Sequence, residues 1–353
     1  MAVDRSKPVS GEPGAPRSRF APLGIIFSLL GLLLFAYFVR RAGVTEIVAN
    51  IQRLGAGFLL ILAISGTRCV VRALAWMRCV EPPYRLPFKS AVLARLMGDA
   101  LGNIIPFASV AVSEPSKAVF VRDRVPLLVG LSALAIENIF YALSVALFIF
   151  AGTATLLLSF SLPKALRYAS LVTLVVTVMI IPAGYFLLRG KRRFLSGSIS
   201  FFGRAGLAPG LVAKLTPRLQ RLEERVYGFY ERSHQAFLSI FACEMCFHFA
   251  GIAEIYATLA FISPVAPSLR QAFILESVNR VINVAFKFIP LRAGVDEGGT
   301  GQVSKVLGFA RGVGVSLAIV RKGRDIFWSA LGLLLIWRKG LSLRNLASEE
   351  GHS

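Results

Sequence analysis

The stretch "KFIPLRAGVDEGGTGQ", Lys287 to Gln302, lies between two strongly apolar segments and decides how the chain is read. It holds a proline, four glycines and the charges of Arg292, Asp296 and Glu297. A helix running into Pro290 must break there, because proline has no N–H and clashes with the preceding turn. Irregular polar backbone beside hydrocarbon survives only when protein or a wet cavity covers it. The stretch therefore predicts a helix that enters a membrane and stops inside it.

The composition agrees. Of 353 residues, 55% are hydrophobic and 17% are charged, against about 25% charged in a soluble domain. Several apolar runs reach the roughly 18 residues that a spanning helix needs. Short alternating segments, the mark of a transmembrane barrel, are missing. Lys and Arg number 40 against 19 Asp and Glu, a formal net charge of +21. Without zinc-finger, RNP or basic-zipper patterns, this excess points to cytoplasmic loops and anionic lipid headgroups rather than to nucleic acid. Cys69, Cys79, Cys243 and Cys246 all fall in or beside apolar segments, which argues against a disulfide framework.

Full spans are expected near 22–39, 57–79, 126–150, 167–188, 236–262 and 312–337. The segments 88–106 and 270–290 are apolar but end early at proline, and read as re-entrant or broken helices. The basic connection 189–235 belongs in the cytoplasm, with 211–232 reading as an amphipathic surface helix. Both tails, 1–20 (disordered) and 341–353, are expected on the same side. This leaves 151–166 and 40–56 outside, the latter despite Arg40, Arg41 and Arg53. A single membrane domain then runs from 21 to 340.

The two broken segments align on Pro106 and Pro290. Three, seven and eleven residues earlier stand Asn103, Asp99 and Arg95 in one, and Lys287, Asn283 and Asn279 in the other. Those offsets share one helical face. An acid follows each proline, Glu114 and Glu297, and each copy then enters a long span, "IENIFYAL" with Glu137 and "GRDIFWSAL" with Asp325. The copies, about 88–150 and 270–337, start from opposite sides of the six-span topology. The expected fold is thus an all-α integral membrane protein with about six full transmembrane helices and two re-entrant helices in a pseudo-inverted repeat. In such repeats the site lies at the interface near the midplane.

Ionisable residues at a helix centre cost about 2.5–3.5 kcal/mol each on insertion scales. This chain accepts many: Arg68 and Arg72, Glu244 with His248 and nearby Glu254, the stripe Glu276–Arg280–Asn283–Lys287, and Arg321, Lys322, Arg324 and Asp325. Glu276 and Arg280 can pair at i,i+4. So many charges of both signs predict a hydrated polar cavity, and its arginines suit a phosphate or carboxylate by bidentate bonding. "CEMCFH", Cys243 to His248, misses the haem attachment spacing by one residue and has too few partners for zinc. Neither a metal nor a cofactor is expected. Phosphate-loop, serine-hydrolase and zinc-protease motifs are missing from the sequence, and no nucleophile–base pair stands out.

"GNIIPFASVAVSEPSKAV" and "FKFIPLRAGVDEGGTGQVSKVLGF…VRKGRDIFWSALGLL" resemble the flippase-like membrane domain of lysylphosphatidylglycerol synthases. The resemblance covers nearly the whole chain after residue 20. With "CFHFAGIAEIYATL" before the second motif, it looks most like the hopanoid-biosynthesis-associated branch. The family's motif falls here on Asn103, Pro106 and Glu114, then on Pro290, Gly294 and Glu297. The resemblance implies a lipid flippase of a bacterial inner membrane. "FASVAVSE" lacks the glycine the family prefers near the acid, so the loop shape need not match. The synthases also carry a soluble aminoacyl-transferase domain after the membrane part. This sequence reaches Ser353 in a short basic tail instead, and lipid aminoacylation is not expected.

The expectation is a transporter that moves a polar-headed or anionic lipid, a hopanoid or a related glyco- or phospholipid, between leaflets. Arg292, Arg321 and Arg324 would hold the headgroup, and Glu114 and Glu297 would orient them or titrate. Two rivals stand beside it: a membrane enzyme modifying a headgroup, and a scaffold for lipid-biosynthesis enzymes.

Overall fold

The computed structural model describes residues 44–104, 109–189, 234–287, 289 and 292–338, with scattered positions inside 33–40 and 216–229. Pro106, Pro290, both tails, and nearly all of the first expected span and the basic linker lie outside the described residues. The described secondary structure is helical, without a strand.

After α1 (Val44–Leu54) come two sets of four helices. The first is α2 (Gly57–Cys79), α3 (Phe88–Ile104), α4 (Ser109–Phe120) and α5 (Leu127–Ser159). α6 (Lys164–Arg189) packs on α5. The second set is α7 (His234–Ile262), α8 (Leu269–Ala285), α9 (Val295–Val306) and α10 (Arg311–Arg338).

The two sets match element by element. α3 and α8 have 17 residues each, and α4 and α9 have 12 each. At about 1.5 Å per residue, 17 residues span about 25 Å, short of the roughly 30 Å hydrocarbon core. α2, α5 and α7 are long and apolar enough to cross it. The likeness of the two copies therefore begins one helix earlier than the proline alignment suggests, at α2 and α7.

These counterparts lie against each other and run antiparallel. Gly57 meets the Phe261 ring, Arg68 meets Glu254 and Arg78 meets Cys243 along the pair. The copies also exchange helices: α3 packs on α10, and α8 packs on α5. Each copy keeps its own apolar core. One gathers Trp76, Met97, Leu134 and their neighbours from α2–α5, and the other gathers Ile255, Leu259, Ile274, Leu275 and Leu317 from α7–α10. Ile336 of α10 reaches into the first, and Ile61 of α2 reaches into the second.

Local sequence explains where the helices start. Ser268 caps α8 in a reciprocal box with Gln271, satisfying two of the N–H groups that a helix start leaves open. α9 follows Gly294, whose φ of +80° suits only glycine, and the Glu297 carboxylate accepts the Gly294 N–H at 2.7 Å. The other three glycines of the stretch, Gly298, Gly299 and Gly301, are inside this helix. Gly299 lies against Ile282 of α8, and Gly301 against Val315 of α10. They permit close helix approach rather than an open loop.

One further expectation changes. The helix expected at 126–150 continues to Ser159, because "AGTATLLLS" keeps both apolar character and helix propensity, and the connection 151–166 shrinks to 160–163. The region 40–56 contains α1, docked on α10 through a buried Asn50–Ser316 hydrogen bond of 3.2 Å.

Gly332 marks a close crossing between copies: a Cβ there would stand 2.5 Å from the Leu96 carbonyl oxygen and 2.6 Å from Ala100 Cβ. The nearest heavy atom to a Cβ on Gly323, by contrast, would be 3.8 Å away. Gly332→Ala should cost about 1–3 kcal/mol through overpacking, while Gly323→Ala should be neutral or slightly stabilising. Thermal unfolding of the two purified variants in detergent checks this contrast.

Candidate functional site: a charged cavity between the two copies

A cavity of about 700 Å³ opens where the two cores meet. α2, α3, α4 and α5 line one side with Arg72, Arg95, Asp99, Glu114, Lys117 and Tyr141 among others. α7, α8, α10 and the segment before α9 line the other with Phe247, Arg280, Asn283, Lys287, Arg292 and Arg324 among others. Both short helices contribute the polar face that the proline alignment picks out. Arg95, Asp99 and Asn103 come from α3, and Asn279, Asn283 and Lys287 from α8 and its end.

The charges are arranged in layers. Among the described residues, eight cations and three acids line the cavity. The acids that hold most of these cations are buried behind them. Glu137 on α5, fully buried, takes Arg72 and Arg95 at 2.7 Å each. Glu254 on α7 binds Arg68 at 2.9 Å and also pairs with Arg324. Glu276 on α8 takes Arg280 and Arg68, the latter at 3.4 Å, and accepts the Asn279 amide at 3.0 Å. Each buried carboxylate thus joins cations from different helices, which offsets the several kcal/mol cost of burying each ion.

The three lining acids are themselves engaged. Lys117 bridges Asp99 and Glu114 at 2.7 Å each, and the Asn138 amide donates to Glu114 at 2.9 Å. Asp325 holds Arg324 at 2.7 Å and Arg292 at 3.2 Å. Aromatic rings brace the guanidinium groups. Arg72 lies 3.9 Å from the Tyr141 centroid, and Arg68 and Arg280 lie 4.5 and 4.8 Å from that of Phe247.

The candidate residues separate into groups. Arg95, Asp99, Asn103 and Glu114 line the cavity, as do Asn279, Arg280, Asn283, Lys287, Arg292, Arg324 and Asp325. Glu137 and Glu276 stand behind its wall. Glu244 is also buried there, 4.0 Å from Arg72. His248 is buried against Phe148, with Ser144 Oγ 3.1 Å from its Nε2, and it does not line the cavity.

Asp296, Glu297 and Arg321, expected on the cavity, lie elsewhere. Asp296 binds Arg321 at 2.7 Å and Glu297 binds Lys322, all buried between α9 and α10. Gly294 serves the start of α9. Arg321 and Lys322 precede Arg324 and Asp325 by one turn of α10, so they differ in height along the helix more than in face, and at that height they pair with Asp296 and Glu297 of α9. Pro106 and Pro290 lie outside the described residues.

Sequence reading passed over several lining residues. Arg68 and Arg72 stood out as buried charges four apart, without an assigned place in the site. Lys117 carried a usable signal, its i,i+3 spacing from Glu114. Tyr141, Phe247 and Trp328 carried none, because aromatic residues in spans are ordinary.

A family model described as the lysylphosphatidylglycerol synthase transmembrane region matches residues 22–332. The chain belongs to this family. No curated protein and no solved structure matches the chain significantly. Membership in the lysylphosphatidylglycerol synthase transmembrane-region family, together with the long apolar helices, makes the chain a multi-pass membrane protein of lipid metabolism or transport.

The α9–α10 cluster is a stability element that can be tested. Arg321→Met leaves the buried Asp296 carboxylate to Lys322 at 3.7 Å and the Thr300 hydroxyl, and should cost about 3 kcal/mol. Arg321→Met with Asp296→Leu removes both charges and should recover most of that loss. Melting temperatures of the single and double variants in the same detergent decide it.

Proposed function

We propose that this protein is a lipid transporter of the flippase type, which moves a polar-headed lipid between leaflets by alternating exposure of the cavity between its two copies. The observation that carries this is the cavity itself. It is charged, it is built from both copies, and its two 17-residue helices, about 25 Å long, fall short of the roughly 30 Å hydrocarbon core. Counterpart spans α2 and α7 run antiparallel, which favours copies of opposite sense in the membrane. α3 and α8 are then the re-entrant helices, entering from opposite sides.

In this reading the apolar tails stay in lipid while the headgroup crosses through the cavity, where Arg292 and Arg324 meet it. Arg321 has a structural role. The membrane is the inner membrane of a bacterium, with both termini in the cytoplasm as the basic linker demands. The chain moves lipid rather than modifying it. A hopanoid, a glycolipid and a phospholipid are the substrates to compare, and lipid-biosynthesis enzymes are its natural partners.

The test is reconstitution of the full chain into vesicles with tail-labelled hopanoid, glycolipid and phospholipid in one leaflet. At least one lipid should exchange leaflets faster than in protein-free vesicles. Arg72→Gln, which loosens the Glu137 and Tyr141 contacts at the wall, should slow that exchange by about tenfold or more. Unaccelerated exchange for all three lipids would sink the transport reading. A new lipid species by mass spectrometry would replace it with headgroup modification.

A further inference from the structure

The unspent bonding capacity of the cavity is cationic. Among the described residues, every acid that lines it is already paired: Asp99 and Glu114 with Lys117, and Asp325 with Arg324 and Arg292. The other carboxylates of the network sit behind the arginines rather than facing the space. Several cations, by contrast, keep donors without a partner. Arg95 is buried at 1% exposure with Nε and Nη1 unsatisfied, and it forms part of the wall. Arg292 leaves Nε unsatisfied. Lys287, exposed at the cavity, has neither a side-chain hydrogen bond nor an ion pair to a described residue.

Arg292 carries a second mark. Its φ of +51° is the left-handed conformation that side chains other than glycine, asparagine and aspartate seldom adopt. That conformation sets its guanidinium against Asp325 on the wall. A headgroup ammonium would need the reverse arrangement, with free carboxylates or open aromatic faces. Here arginines already lie over Tyr141 and Phe247.

We infer that the cavity binds the phosphate of an anionic lipid headgroup, held between Lys287 and Arg292 on the second copy and Arg95 on the first, and that it discriminates against headgroups carrying a net positive charge. This rests on the transport reading for its setting but concerns a different property, the charge of the ligand. Arginine forks suit a phosphate's paired oxygens, and Lys287 adds a mobile point charge at the opening. Placing an anion beside Arg95 would also satisfy N–H donors that are otherwise buried unmet.

The full chain in phosphatidylcholine nanodiscs is titrated with tail-labelled phosphatidic acid, phosphatidylglycerol, lysylphosphatidylglycerol and a neutral galactolipid. The two anionic lipids should bind about tenfold or more tighter than the other two, given the strength of hydrogen bonds to charged groups. Lys287→Gln and Arg292→Asn should each weaken anionic binding by about three- to tenfold and galactolipid binding by clearly less. Asparagine is chosen because it tolerates the left-handed backbone.

Equal or tighter binding of lysylphosphatidylglycerol or galactolipid overturns the inference. Inorganic phosphate competing as well as phosphatidic acid overturns its lipid part and assigns the site to a soluble anion. Selective anionic binding with unaccelerated leaflet exchange supports the ligand class and defeats transport. Exchange of neutral or cationic lipids alone does the opposite.

Discussion

The structure depends on one constraint: charges removed from water must be met by charges or hydrogen bonds. Glu137, Glu254 and Glu276 each sit between arginines of different helices, so the polar network is also what ties the helices together. Apolar packing alone would specify this weakly in a membrane, where lipid tails compete with any aliphatic contact. Ion pairs at low dielectric have few alternative partners. They fix which face of α2 meets α7 and which face of α3 meets α5.

The layered order of charge follows from the same constraint. Acids lie deep, where helices cross, and arginines reach forward from them into the cavity. A long side chain can keep its stem in apolar packing while its head meets both a carboxylate and the wet space. Short carboxylates cannot do both. The cavity is therefore rich in cations without a large uncompensated charge in the surrounding protein, and its polarity is built from the same bonds that hold the copies together.

The copies are alike in helix order and differ in how they use their acids. Glu114 of α4 opens on the cavity with Lys117, whereas Asp296 and Glu297 of α9 are sealed against Arg321 and Lys322. Equal lengths of 17 and 12 residues make the two hairpin-like pairs exchangeable in outline. Both copies are polar toward the interior space, but α4 presents its acid there and α9 does not.

Much of this was legible in the residues. Apolar run length determined the all-helical membrane class, and the proline-aligned polar positions Arg95, Asp99, Asn103, Asn279, Asn283 and Lys287 marked one wall each, because helical periodicity is a local property. "KFIPLRAGVDEGGTGQ" announced an interruption for the same reason: proline and polar backbone act within one turn. What only the tertiary structure decided was the destination of its charges. Arg292 meets Asp325 on the cavity wall while Asp296 and Glu297 turn to α10, and the glycines that follow them become packing surface inside a helix. Composition cannot separate a glycine that opens a loop from one that admits a neighbouring helix. The difference lies in what stands on the other side.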